Sequence, residues 1–496
     1  MTFIRKVKTS SGATAVQVVT KTHSRISQIK HIGSAHNSTD LKILLALARS
    51  KMHEGQASLF EPPSNTTVEL VSSVSSVLRD TILKQYDRLG FNKIGDPDFA
   101  YLCLARIVEP TSKLDSLRVL DELGVTEIVG EDQLYRCLKR VITKDYRNHL
   151  AELCFAHVAT RTGGITLVLY DVTTLYFEIQ KEDNDEGDNK GYRKPGMSKE
   201  RRLEPQIIVG LLVDQNGFPL ELHSFEGNKA ETKTILPVIE AFKQRHGLLG
   251  ITVVADAGML SADNLKQLSN SGYTYIVGSR MNKIPYDIAE YQQTKELSDN
   301  QIITSKTAIP GQRIIYQYRE KRAALDRRNI KKQVEKARKI VEGTTSAKRA
   351  KFLSVTTKNK QLNQGLIDKA KALAGIKGYV TNLPTKEASN NRVIAYYHEL
   401  WHVEQSFRMS KSDLKARPIF HHLKDAIEAH LTIVMASLAI GRVMEKKTGL
   451  SIKRIVKVLK PLRSGIVSIA GEEIEAKPRI PETLIPILRK LERDTN

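Results

Sequence analysis

Apolar positions along the chain change their period several times, and each change marks an element. Ala13-Thr14-Ala15-Val16-Gln17-Val18-Val19 follows the turn-like Ser10-Ser11-Gly12 and alternates as a hairpin arm does, and Leu41 to Ala48 then reads as a helix. Together they predict a small N-terminal module over residues 1–62. From about Thr66 to Arg161 apolar residues recur at helical spacing, broken at Gly90, Pro97, Pro110, Gly124 and Gly130. This predicts a region of short helices with exposed Arg and Lys, residues 63–161.

At Ile165 the texture becomes that of a β-strand, Ile165-Thr166-Leu167-Val168-Leu169-Tyr170-Asp171, with a carboxylate near its end. A polar stretch follows from Gln180 to Glu204, first acidic and then basic, which predicts a mobile loop. Gln206 to Val213 and Phe218 to Ser224 flank Asp214-Gln215-Asn216-Gly217, a turn signal that makes them an antiparallel hairpin. Ala230 to Gly247 reads as a helix, Ile251 to Ala255 as a buried strand ending at Asp256, Ala262 to Ser271 as a helix and Tyr273 to Gly278 as a short strand. The order then breaks. Residues 282–375 predict an insertion that contains the strongly basic run Arg319 to Lys339, a helix whose charges face phosphates or water. Gly378-Tyr379-Val380-Thr381-Asn382 resumes the fold, followed by one long helix carrying Tyr397, Glu404 and Lys411. Beyond Leu414 an amphipathic helix from Leu423 to Lys446 and shorter helices to Arg493 are expected, the last of them in a helical tail over 448–496.

Charge and composition narrow the partner. The chain has 496 residues, 77 Lys and Arg against 55 Asp and Glu, and a net charge of +22, which drives salt-sensitive association with a polyanion. Nucleic acid is the first partner to consider. A helical DNA-end-binding region fits residues 63–161, and so does a plain bundle packed on the core. Cys103, Cys137 and Cys154 lie in helical sequence without metal-ligand spacing, so buried thiols are expected. The longest apolar run, Leu431 to Ile440, falls short of the ~20 residues of a membrane span, and no apolar run follows Met1. A cytoplasmic protein with no membrane partner is the expectation.

Cutting and joining phosphodiesters calls for an activated oxygen nucleophile and a clamp on the developing charge. Two Mg²⁺ ions about 4 Å apart supply both, on carboxylate ligands with open positions. Two aspartates at strand ends followed by a helical glutamate beyond an insertion fit that demand. In a ribonuclease-H-like fold those two strands lie parallel and side by side, which would bring Asp171 and Asp256 together.

Tyr170-Asp171-Val172-Thr173-Thr174, Val254-Ala255-Asp256-Ala257-Gly258-Met259 and Tyr397-His398-Glu399-Leu400-Trp401-His402-Val403-Glu404 with Lys411 resemble the three motif regions of bacterial insertion-sequence transposases of the DDE type, in the branch with a Tyr-Arg-Glu-Lys signature. Gly227-Asn228-Lys229-Ala230-Glu231-Thr232 and Ser198-Lys199-Glu200-Arg201-Arg202 are similar to that family too. The signature spacing of Tyr, two residues, Arg, three residues, Glu, six residues and Lys falls on Tyr397, Leu400, Glu404 and Lys411, so a leucine stands where the family has arginine. The resemblance implies a ribonuclease-H-like core over 162–281 and 376–447, with the insertion between its fifth strand and the glutamate helix. It also implies Asp171, Asp256 and Glu404 as catalytic residues and ligands of two Mg²⁺ or Mn²⁺ ions. DNA contacts are implied for Tyr397, Lys411, Arg408, Ser198, Lys199 and Arg202. The implied activity is DNA cleavage at the inverted repeats of an element and strand transfer into target DNA, by a homodimer at the bacterial nucleoid. Tyr397, Glu404 and Lys411, seven apart, would share one helix face.

Two other functions compete. A transposase relic that only binds DNA would keep the charge and lose a carboxylate. His398-Glu399-Leu400-Trp401-His402 is also a literal HExxH, the zinc-protease arrangement, with His421 or His422 as a third ligand. The intact triad argues against the relic, and the HExxH reading explains neither the charge nor the two strand-end aspartates. Trp401 is expected as a packing anchor for the Glu404 helix.

Overall fold

The computed structural model describes residues 2–9, 12–22, 25–53, 68–125, 130–162, 164–185, 191–197, 203–248, 250–259, 261–281, 283–344, 350–355, 360–469 and 472–493. Ser198, Lys199 and Arg202 lie outside them. The chain divides into two compact units, one of Met1–Arg88, Ala100–Tyr135 and Met444–Thr495, the other of Leu89–Phe99 and Arg136–Val443.

In the first unit the N-terminal hairpin gains a third strand. Thr2–Lys8, Thr14–Thr22 and Arg25–Ala35 pair antiparallel, and the helix Ser38–His53 packs its Leu41, Leu44, Leu45 and Ala48 on Val16 and Val18. Gly33 permits that approach, because a Cβ there would lie 2.6 Å from Leu44 Cδ2. Near the C-terminus the structure departs from the all-helical expectation. Ser464–Ile469 and Glu472–Ala476 form a hairpin that pairs with Val68–Val74, in addition to the helices Ile452–Leu459 and Ile485–Glu492.

The second unit is a mixed α/β structure built on one eight-stranded sheet. Its spatial order is Ile302–Lys306, Arg313–Tyr318, Ile376–Thr381, Thr274–Ser279, Thr252–Ala255, Leu167–Tyr176, Gln206–Asp214 and Pro219–Glu226. The middle three, from Thr274–Ser279 to Leu167–Tyr176, run parallel, and the pairings outside them are antiparallel. Gln206–Asp214 is buried at all nine positions, as its near-continuous apolar run requires. Its turn closes because the Asp214 carboxylate accepts from the backbone N–H of Asn216 (2.9 Å) and Phe218 (2.7 Å), while Gly217 supplies φ +79°.

The chain between the fifth core strand and the glutamate adds to the core sheet: its hairpin, Ile302–Lys306 and Arg313–Tyr318, extends that sheet through Ile376–Thr381. It then continues as the helix Glu320–Val341, which buries Ala323, Ile330, Ala337 and Ile340 along one stripe and leaves its basic residues outside. Within the polar stretch from Gln180 to Glu204, described residues are held by ion pairs: Arg193 pairs with Asp183 (Nε to Oδ1, 2.9 Å) and Lys194 with Asp185 (2.9 Å), and buried Tyr192 donates to Glu428.

The three cysteines are buried thiols outside any disulfide, as expected. Lys424–Thr448 is long and apolar enough to cross a bilayer, but nearly all of that stretch is buried within the protein.

Candidate active site

The parallel pairing of Leu167–Tyr176 with Thr252–Ala255 ends on Tyr170 opposite Ala255. The residue after each is an aspartate, so Asp171 and Asp256 fall at neighbouring positions of the two strands. Asp171 sits within its strand, which runs on to Tyr176 paired with Gln206–Asp214, rather than at the strand's end. It is half-buried, and Asp256 is exposed.

Tyr397 holds the second aspartate. Its hydroxyl donates to Asp256 Oδ1 at 2.8 Å, and burial together with that bond pushes the phenol pKa up. Tyr379 meets its ring edge-on at 5.0 Å. Gly278, on the neighbouring strand, makes room for the hydroxyl, since a Cβ there would lie 2.7 Å from Tyr397 Oη. Above the same ring, 4.4 Å from its centroid, is the ammonium of Lys377. Burial and Arg322 lower the pKa of Lys377, against the pull of Asp256 and Glu404.

Glu404 arrives on a separate element. The expected long helix is two, Asn390–His398 and Trp401–Arg408, followed by a π-helical turn over Met409–Asp413. Between the two helices Leu400 N bonds Tyr397 O (3.2 Å) and Val403 N bonds Leu400 O (3.2 Å), i to i+3 contacts that overwind the chain. Tyr397, Glu404 and Lys411 therefore sit in three successive elements, with Lys411 in the π-helical turn. Glu404 is exposed on a helix that packs against the Asp171 strand, with Arg408 one turn later. Ser406 fixes that helix by donating to Gly217 O (2.6 Å).

Among the described residues, no three His, Cys, Asp or Glu side chains are gathered into a ready metal cage. The donor chemistry nevertheless suits a hard cation: two adjoining aspartates and an accessible glutamate, all oxygen donors. The HExxH arrangement is less favoured. His398 and His402 fall in successive helical segments, and His402 Nε2 lies 3.0 Å from the would-be base, Glu399. His422 sits beside Arg193 and His421 beside His430. Trp401 is half-exposed, its ring tilted against that of His402 at 3.7 Å, so it does not serve as the packing anchor expected.

Sequence reasoning missed Lys377 and Gly278 at this site. Both lie in strands whose apolar pattern was legible, and only the sheet order brings them beside Tyr397.

Residues 162–440 match the family model of the transposase DDE domain, more than half of the chain. The chain belongs to the DDE transposase family. A search of the curated proteins finds no match. Among solved structures the transposase is similar to piggyBac transposase in a synaptic complex with hairpin DNA, at 8% identity and a TM-score of 0.40, over 77% of this chain and 76% of that one. The matched segment contains all three carboxylates, Asp171, Asp256 and Glu404, together with Tyr397 and Lys377.

Proposed function

We propose that this transposase cuts DNA at the ends of an insertion sequence and joins those ends to target DNA, with Asp171, Asp256 and Glu404 as its catalytic carboxylates on a ribonuclease-H-like core. The reading belongs to the bacterial branch with the Tyr-Arg-Glu-Lys signature. The observation that carries it is the register ending in Tyr170 and Ala255, which sets Asp171 beside Asp256 within the segment matched by the family.

Two Mg²⁺ or Mn²⁺ ions held by the three carboxylates would activate the attacking oxygen and neutralise charge on the phosphate. The chain's own groups do the rest. Tyr397 fixes one oxygen of Asp256 and leaves the other to its ligand. Lys377 offsets the negative charge that the carboxylates and an incoming phosphate share. Arg408 and Lys411 offer cations after Glu404, and the loop with Ser198, Lys199 and Arg202 is assigned to DNA backbone contact. The substrate is double-stranded DNA, the terminal inverted repeats and the target, handled by a homodimer because two ends need two sites. The net charge of +22 supports that partner and an action on nucleoid DNA in the cytoplasm.

The test is cleavage of labelled DNA bearing the ends that flank the gene, by wild type and Glu404→Gln, with Mg²⁺ or Mn²⁺. Metal-dependent nicking by wild type and its loss in Glu404→Gln, with binding retained, is the expected result. Binding without cleavage by either protein would overturn it in favour of a DNA-binding relic.

A further inference from the structure

A second concave surface adjoins the carboxylates. It is a pocket of about 560 Å³ at the start of the helix Glu320–Val341, lined by Arg319, Lys321, Arg322 and Lys377, with Gln317 and His398 among its polar members. Among the described residues no aspartate or glutamate lines it. Arg322 keeps only a loose pairing with Asp326 on its own helix (3.7 Å), and Arg319 donates to Asn300. Four cations around one cavity repel each other, and an anion is the ligand that relieves the repulsion.

The pocket's chemistry narrows that anion. Guanidinium forks suit the paired oxygens of a phosphodiester. Neither tyrosine offers an open face to a stacked base: Tyr379 is 1% and Tyr397 5% exposed, and the Lys377 ammonium covers the Tyr397 face, which leaves His398 as the exposed ring of the lining. The volume exceeds what one phosphate fills, which suits a short stretch of strand. Lys377 links the two places: it lines the pocket, and its ammonium lies over the ring of Tyr397, whose hydroxyl holds Asp256.

We propose that this pocket binds consecutive phosphates of a single DNA strand beside the position of the cut, with Arg319, Arg322 and Lys377 as positioning residues. The inference rests on the transposase reading of the neighbouring carboxylates, but its test does not need cleavage. Binding of a fluorescent single-stranded oligonucleotide is titrated against salt, with EDTA present, for wild type, Arg319→Gln/Arg322→Gln and a control, Lys332→Gln/Lys336→Gln, on the outer part of the same helix. Each single-strand phosphate contact contributes about 0.7 to the slope of log K against log salt, so the pocket variant is expected to flatten the slope by about 1.4. Its affinity at low salt should fall at least tenfold, and the control should change neither quantity. Lys377→Met serves as a second pocket variant, with the slope reduced by about 0.7. An unchanged slope in both pocket variants, or an equal loss in the control, overturns the assignment. Displacement of the strand by an equimolar nucleoside triphosphate does so as well, because it would make the ligand a free nucleotide. Failure of cleavage in the Glu404→Gln comparison would leave these binding results intact, so the two ideas fail separately.

Discussion

The hydroxyl of Tyr397 and the missing side chain of Gly278 act as one device on Asp256. The phenol donates to Oδ1 at 2.8 Å, and the absence of a Cβ at position 278 is what lets it reach that oxygen. A hydrogen bond to a charged group is worth about 1.5–3 kcal/mol, so Tyr397→Phe should lower the cleavage rate about tenfold to a hundredfold. Bound DNA should be held nearly as well, which separates orientation of Asp256 from substrate contact. Gly278→Ala brings a methyl to 2.7 Å from Tyr397 Oη and 3.0 Å from Ala257 Cβ, and should cost at least as much. The two changes are not independent. Removing the hydroxyl removes the nearer clash, so Gly278→Ala should cost less in the Tyr397→Phe background than in wild type. Cleavage rates of the four proteins form the cycle that measures this, and strictly additive losses would separate the glycine from the tyrosine.

At the scale of elements, the broken helix between Tyr397 and Lys411 is where sequence and structure part. The core strands were legible because their apolar runs are bounded by turn chemistry such as Asp214-Gln215-Asn216-Gly217, and the two aspartates could be placed from strand order alone. The break was not legible: Glu399, Leu400 and Trp401 include neither proline nor glycine, and seven-residue spacing reads as one face. Tertiary ties act on the helix beyond it. Ser406 donates to Gly217 O and Arg442 Nη2 to Asn216 O (2.6 Å), so the helix carrying Glu404 and the long helix behind it are both tied to the hairpin turn. The strands Ile302–Lys306 and Arg313–Tyr318 escaped notice for a similar reason, since they alternate weakly and are specified by pairing with Ile376–Thr381. Gly217→Ala tests the tether. At φ +79° its Cβ would stand 2.7 Å from Arg442 Nη2 and 2.9 Å from His402 O. Urea unfolding should show a loss of about 1–3 kcal/mol, and cleavage should fall with it as the Glu404 helix shifts. Unchanged stability would mean that the turn does not hold the helix.

The whole molecule carries a charge of +22 and buries several titratable groups, and the two respond differently to acid. Burial, with Arg147 nearby, lowers the His223 pKa from 6.5 to about 4 despite Glu428 and the Glu221 carboxylate 2.7 Å from its Nε2, and burial with Arg245 does the same for His246. His246 is stacked on Phe155 at 3.9 Å. An unfolded chain takes up these protons as pH falls through 6.5, whereas the folded chain resists until about 4, so acid favours unfolding across that window. Glu428 acts in the same direction lower down. Burial raises its pKa, but Arg147 and hydrogen bonds from Ser224 and Tyr192 outweigh burial and depress it below 4.5, so its contribution is lost only as pH drops through the depressed value. Stability measured by urea unfolding should therefore fall steadily from pH 6.5 towards 4, by about 1–3 kcal/mol for each histidine. General repulsion among surface cations also grows with acid, but salt screens it, whereas buried histidines feel salt little. The decisive comparison is His246→Phe against wild type at low and high salt. The variant keeps a ring against Phe155 and should flatten the pH dependence equally at both salt concentrations. Flattening confined to low salt would assign the acid sensitivity to net charge instead.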